Sequence, residues 1–180
     1  MKFLNKVIAI GTLIALYSPL YAQAYVDETH CMALNIYHEA KNQSFVGQVA
    51  VGLVTMNRVR DHRFPNTVCE VVYQGPTRPS WKDPNKRIPI RHKCQFSWFC
   101  DGKSDEARDQ KAWWKAVEYA RMVMSHRILD VTEGATHYHA TYVRPAWASQ
   151  KTRTTRIETH IFYRWENNGS TYKEAICKTC

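Results

Sequence analysis

Apolar residues in this chain recur with a helical period as far as about residue 126, and beyond Gly134 the pattern gives way to short segments rich in Thr, Tyr, Val and Ile. Few architectures accommodate that order. Ala33, Ile36, Tyr37 and Ala40 fall at i, i+3, i+4 and i+7, and Val46, Val49, Ala50 and Leu53 repeat the pattern behind Ser44, a good N-cap. They predict helices over 28–41 and 45–60. Phe64-Pro65-Asn66 breaks the second, and Thr67-Val68-Cys69-Glu70 is a capping-box pattern that opens a short helix ending near Gln74. Asp105-Glu106 should open the longest helix, with Trp113, Val117, Ala120 and Met124 as its apolar stripe and its end near His126. Both Trp113 and Trp114 are expected in the core. Strands are expected over 136–142, 152–157 and 160–165. Helices first and a small sheet later predict an α+β, mainly helical single domain with an antiparallel sheet in the C-terminal half, and exclude a parallel α/β fold.

The two ends read differently. Lys2 and Lys6, the apolar run 7–16 and Ala22-Gln23-Ala24 have the layout of a secretory signal peptide over 1–24, too short and interrupted to span a membrane. The expectation is export to the periplasm or beyond, with no stable membrane insertion once the segment is removed. A domain over 25–165 follows, then a polar Cys-containing tail over 166–180. The formal net charge of +9, two units of it from Lys2 and Lys6, should draw the exported chain to polyanions, without implying a specific nucleic-acid partner. Between residues 75 and 93 four prolines and six cations (Arg78, Lys82, Lys86, Arg87, Arg91 and Lys93) face one acid, Asp83, and predict an extended basic loop.

Six cysteines in an exported chain point to disulfides. We favour Cys94 with Cys100 across a short aromatic loop, and Cys31 with Cys69 between two early helices. Cys177-Lys178-Thr179-Cys180 lies at the extreme C-terminus outside any βαβ unit, so a structural pairing fits it better than redox chemistry.

Glu39 is the first candidate for chemistry. Beside Ile36, Tyr37 and Ala40 its carboxyl would be partly desolvated, which raises the pKa and suits a general acid. His38-Glu39 does not begin a zinc-protease motif, because position 42 is Asn42 where HExxH needs histidine. His137 and His139 alternate along one expected strand and share a face, which leaves a zinc site open as a competing reading beside a polar groove. Phe96, Trp98, Phe99, Tyr138, Tyr142 and Trp147 could stack on sugar rings, Trp98 from an exposed loop. No Gly-x-Ser-x-Gly motif supports a serine nucleophile.

Taken in order, Ala33-Leu34-Asn35-Ile36-Tyr37-His38-Glu39-Ala40, Gly47-Gln48-Val49-Ala50-Val51, Asn57-Arg58-Val59, Phe64-Pro65-Asn66-Thr67, Val71-Val72-Tyr73-Gln74, Gln95-Phe96-Ser97-Trp98, Gly134-Ala135-Thr136-His137-Tyr138 and His160-Ile161-Phe162-Tyr163 resemble the spore cortex-lytic (SleB-like) cell wall hydrolases. The resemblance implies a lysozyme-like fold that cleaves peptidoglycan glycan between N-acetylmuramic acid and N-acetylglucosamine. It makes Glu39 the catalytic acid and lines the groove with Gln95, Phe96 and Ser97 and with His137, Tyr138 and His139; Trp98 joins them as a substrate-binding candidate from its aromatic loop. The family's Glu-Ala-Arg-Gly-Glu reads Glu39-Ala40-Lys41-Asn42-Gln43 here, and its Ile-Gly-x-His reads Ile157-Glu158-Thr159-His160.

Glycosidases ordinarily pair two carboxylates. Asp61, Asp101 and Glu133 are available in loops, but no spacing selects one of them. A single acid suffices if the sugar's own C6 hydroxyl closes onto the anomeric carbon, the lytic transglycosylase outcome; attack by water would make the enzyme an N-acetylmuramidase. Tyr37, Ser97, Tyr138 and His139 are the candidates for orienting substrate. Neither route needs a metal or cofactor, and the enzyme is expected to act as a monomer on glycan strands. Two other classes compete: a non-catalytic cationic wall-binding module built on the 75–93 loop, and a secreted zinc hydrolase using His137 and His139.

Overall fold

The computed structural model describes residues 19–166, with side chains from residue 28 onward. Residues 1–18, which hold most of the expected signal peptide, and the tail with Cys177 and Cys180 lie outside the described residues. Four helices, α1 (Pro19–Ala40), α2 (Phe45–Arg60), α3 (Val68–Val72) and α4 (Gln110–Met124), precede a three-stranded antiparallel sheet of β3 (His137–Ala140), β4 (Thr152–Ile157) and β5 (His160–Arg164) in the order β3-β5-β4. The α+β architecture follows the change in apolar period.

α1 is the central helix and packs against α2, α3 and α4. Among the described residues it already runs from Pro19, ahead of the expected residue 28. Met32, Ile36, Leu53, Val71, Val72, Phe96, Val117 and Val123 fill the interior between the helices, while Ala50, Val54, Ala135 and Phe162 join α2 to the sheet. α2 has buried residues on nearly every side because it lies between these two layers. Gly52 is the point of closest approach: a Cβ there would sit 3.1 Å from Ile36 Cδ1 and 3.2 Å from Val123 Cγ2. Gly52→Val should therefore overpack this seam and cost about 1–3 kcal/mol, read as a lowered denaturation midpoint. An unchanged midpoint would mean the helices separate freely there.

Three helix starts are capped by side chains, two of them as expected. Ser44 accepts from the Gly47 amide, Thr67 from the Glu70 amide, and Asp109 from the Ala112 amide. The third is a correction, because α4 begins at Gln110 and not at Asp105-Glu106. The Asp105 carbonyl is bonded to His38 Nε2 (3.1 Å) and the Asp109 amide donates to the Tyr37 hydroxyl (3.1 Å). Those tertiary bonds pin the segment against α1 and delay the helix. Trp114 is also corrected: it is 63% exposed, while Trp113 packs edge-on against Tyr37 and His30.

The basic segment is not a featureless loop. β1 (Thr77–Pro79) pairs antiparallel with β2 (Arg87–Pro89), with Arg78 opposite Ile88. Both expected disulfides are present, Cys31–Cys69 and Cys94–Cys100.

Candidate active site

β3 presents candidate side chains on both of its faces. Strand alternation turns Tyr138 inward, where it meets Phe162 and His160, and turns His137 and His139 outward. The inward hydroxyl of Tyr138 donates to Glu39 Oε2 at 2.9 Å, joining residues 99 positions apart. Desolvation raises the Glu39 pKa above the ordinary carboxylate range, against the opposing hydrogen bond from Tyr138 and the charge of Arg58. Tyr138 is held neutral by burial and by the negative charge that Glu39 would carry.

Arg58 is the residue that sequence reasoning passed over. It is 4% exposed on α2, donates from Nε to the Thr136 carbonyl at 2.7 Å, and lies over the rings of Phe96 (5.0 Å) and Phe64 (5.3 Å). Its Nη1 is buried with no hydrogen-bond partner among the described residues. Burial lowers its pKa, while Tyr138 and Glu39 support its charge. The clue in the sequence was its spacing: Arg58 falls i+4 from Val54 and i+7 from Val51, both fully buried, so a cation occupies a position where the helix asks for an apolar residue.

The neighbouring Asn57 fixes the approach to β3. Its Nδ2 donates to Asp130 Oδ2 (2.9 Å), Thr132 Oγ1 (3.3 Å) and the Ala135 carbonyl (3.0 Å), while Asp130 accepts from the Thr132 and Gly134 amides. Glu133 (φ 56°) and Gly134 (φ 78°) make the left-handed bend that this knot encloses. Asn57 and Arg58 thus place the strand that carries Tyr138.

The other expected site residues are dispersed. Tyr37 is buried, two helical positions from Glu39 and so on a different side of α1, with its hydroxyl engaged by the Asp109 amide. Phe96 is buried under Arg58. Trp98, expected in an exposed loop, is 8% exposed: its Nε1 donates to Asn35 Oδ1 (3.1 Å) and its ring stacks on His38 at 4.6 Å. Asn35, fully buried, also donates to Thr55 Oγ1, so the indole fills an acceptor that would otherwise be orphaned. Gln95 and Ser97 are exposed.

On the outward face His137 and His139 flank Trp147, and Tyr163 stacks on His139. His139 Nδ1 donates to the Ala140 carbonyl, which leaves Nε2 to accept from the Tyr163 hydroxyl at 3.0 Å. His137 is pushed down to about 3, first by burial and then by Arg58, Lys151 and Arg63. A cavity of about 830 Å3 opens on this face, lined by His139, Tyr142, Arg144, Arg153 and Tyr163 among others; Glu39 is not in its lining. Among the described residues no three His, Cys, Asp or Glu side chains converge as metal ligands. The loop carboxylates are occupied elsewhere: Asp61 pairs with Arg63, and Asp101 accepts from the Lys103 amide. Among the described residues the charged neighbour of Glu39 is Arg58.

Two solved structures share this architecture. The catalytic domain of the Bacillus cereus SleB protein is 23% identical with a TM-score of 0.54, over 77% of this chain and 91% of that one. The catalytic domain of the germination-specific lytic transglycosylase SleB from Bacillus anthracis is 23% identical with a TM-score of 0.57, over 77% and 94%. At that identity the likeness concerns the fold. A curated Bacillus cereus spore cortex-lytic enzyme is 40% identical over 48 residues, 27% of this chain but 18% of the relative's length. The family model described as Cell Wall Hydrolase matches residues 42–163, from just after Glu39 to the end of the Tyr163 strand, so the segments that build the Arg58–Tyr138 scaffold fall inside the match. The chain belongs to the cell wall hydrolase family.

Proposed function

We propose that the protein is a peptidoglycan-cleaving glycosidase, acting on the bond between N-acetylmuramic acid and N-acetylglucosamine as a lytic transglycosylase, with Glu39 as its single general acid and base. The observation that carries this reading is a desolvated Glu39, its pKa raised by burial, whose charged neighbour among the described residues is a buried arginine and not a second carboxylate. Glu39 gives its proton to the bridging oxygen as the glycosidic bond breaks. The new carboxylate is stabilised by the Tyr138 hydroxyl and by the charge of Arg58. It then takes the proton of the sugar's C6 hydroxyl as that oxygen bonds to the anomeric carbon, which restores the acid and leaves a 1,6-anhydro product. Atoms and charge balance without water. Mass spectrometry of peptidoglycan digested by the pure protein tests this: anhydro ends support the transglycosylase, while reducing ends, heavier by one water, establish hydrolysis.

The pKa direction fixes the shape of the pH profile. An acid whose folded pKa is raised is active in its protonated form below that pKa, so activity falls as pH climbs through it. Stability follows the same sign: the contribution of neutral Glu39 is fully present below the ordinary carboxylate range and is lost as pH rises through the folded value. Tyr138→Phe deletes a bond that favours the carboxylate. Its alkaline limb should therefore move to higher pH, while the plateau of kcat falls about ten- to a hundredfold for want of a hydrogen bond to the charged form. A limb that stays in place would detach Tyr138 from the acid.

The zinc reading has less support. Both nitrogens of His139 are engaged by protein groups, and His137 shares its Nδ1 with Thr136 Oγ1.

A further inference from the structure

The basic segment of residues 75–93, which has no step in the proposed reaction, folds as a finger with a built base and a free tip. At the base, the Ile90 amide donates to the Pro76 carbonyl (2.9 Å), Gln95 to Gln74 (2.9 Å) and His92 to Cys100 (3.0 Å), and the Cys94–Cys100 disulfide closes the far side. The tip is equally well defined. Ser80 donates to the Lys86 carbonyl at 2.8 Å, Lys86 to the Asp83 carbonyl at 3.0 Å, and Asn85 to Asp83 Oδ1 at 3.0 Å.

Three cations at this tip have no ionic partner among the described residues. Asp83, its one acid, is engaged in the turn, and Arg87 is held across the hairpin by Thr77. Arg78, Lys82 and Lys86 are exposed and form no ion pair among the described residues. Among them stands Trp81, 80% exposed, with the Lys82 ammonium 5.1 Å from its ring centre.

We propose that this hairpin is a docking finger for an anionic lipid surface, with Trp81 seated at the headgroup boundary and Arg78, Lys82 and Lys86 on the lipid phosphates. Cations alone would suit any polyanion. The indole decides between them: an amphipathic ring gains most at the interface between headgroups and acyl chains, where one end is apolar and the other wet. A sugar-stacking tryptophan works from a concave groove whose polar walls hold the hydroxyls, whereas Trp81 stands 80% exposed in the turn of a two-stranded hairpin. A ring so exposed at a hairpin end suits a planar surface. The finger would hold the domain at a membrane peripherally, without a spanning helix, and the inference does not depend on the role of Glu39.

The test uses the full chain with phosphatidylcholine vesicles, with and without phosphatidylglycerol, carrying brominated acyl chains that quench nearby indoles. The component lost in Trp81→Phe reports the tip itself, however the N-terminal segment behaves. That component should be quenched only when phosphatidylglycerol is present, and high salt should relieve it. The joint variant Arg78→Gln, Lys82→Gln, Lys86→Gln should weaken the phosphatidylglycerol dependence about tenfold or more. Turnover of soluble peptidoglycan fragments should be unchanged in both hairpin variants, which also shows that they fold. Glu39→Gln should be quenched like the unaltered chain even if it cuts nothing. Equal quenching on neutral vesicles, no Trp81 component, or a hairpin dependence seen on purified sacculi and not on vesicles would overturn the proposal.

Discussion

Glu39→Gln is expected to reduce release of glycan fragments from purified peptidoglycan by about two to four orders of magnitude, the usual contribution of a positioned general acid. The substitution keeps the shape of the side chain and an oxygen that can accept from Tyr138, so the fold should survive. It also removes a group that resists ionisation in place. Because burial raises the Glu39 pKa, the native enzyme loses stability as pH rises through that value, and the glutamine variant should not. Its melting temperature should therefore match the native one in acid and exceed it at higher pH. The two readouts separate catalysis from folding. Undiminished fragment release from a folded variant would end the single-acid mechanism.

The proposed acid depends on three distant segments that meet there. α1 supplies the carboxyl, α2 supplies Arg58, and β3 supplies the Tyr138 hydroxyl. The Arg58 side chain is itself a product of packing: two aromatic rings and one carbonyl hold a guanidinium that burial would otherwise exclude. Arg58 and the Tyr138 bond lower the cost of ionised Glu39, while desolvation raises it, and desolvation wins. An acid poised in this way can give up a proton and take one back.

What could be read from the chain alone was what is written locally. The periodicity of Ala33 to Ala40 and of Val46 to Leu53, the caps at Ser44 and Thr67, and the β-rich runs from Thr152 and His160 each encode their own element. The β1–β2 hairpin was not legible, because it buries almost nothing and therefore carries no apolar alternation. The start of α4 and the burial of Trp98 were misjudged for another reason, since both depend on α1 contacts from residues more than 60 positions away. Glu39 was legible as a candidate, but its partners Tyr138 and Arg58 became a site only through the fold.

The two departures from the family pattern also meet in space. Glu158, at the glycine of the Ile-Gly-x-His pattern that the sequence resembles, has a φ of 49° in the tight turn between β4 and β5, and its carboxylate accepts from the Ser44 amide at 3.1 and 3.2 Å. A negative charge at the N-terminus of α2 helps to offset the strained backbone. Gln43, in place of a glutamate, accepts from Thr159 Oγ1 of the same turn at 3.2 Å. Both changes join the turn to the α1–α2 corner.

Removal of the Cys31–Cys69 disulfide should have the largest effect on stability. The bridge joins α1 to α3 across 38 residues, and the chain-entropy account assigns a loop of that length about 4 kcal/mol, against about 2 kcal/mol for the six-residue Cys94–Cys100 loop. Native contacts already hold the two helices together: Cys31 is buried in the main core, and the Glu28 carboxylate accepts from the Val68 and Cys69 amides at the start of α3. The native geometry should thus persist without the bond, and the loss should fall on the unfolded ensemble. The double variant Cys31→Ala, Cys69→Ala should melt about 10 °C lower than the native protein in a domain of this size. At temperatures well below that midpoint it should retain full fragment release, because the bond touches neither Glu39 nor Tyr138. A larger drop for a Cys94→Ala, Cys100→Ala variant would reverse the ranking by loop length. It would also assign more of the stability to the base of the hairpin than to the junction of α1 and α3.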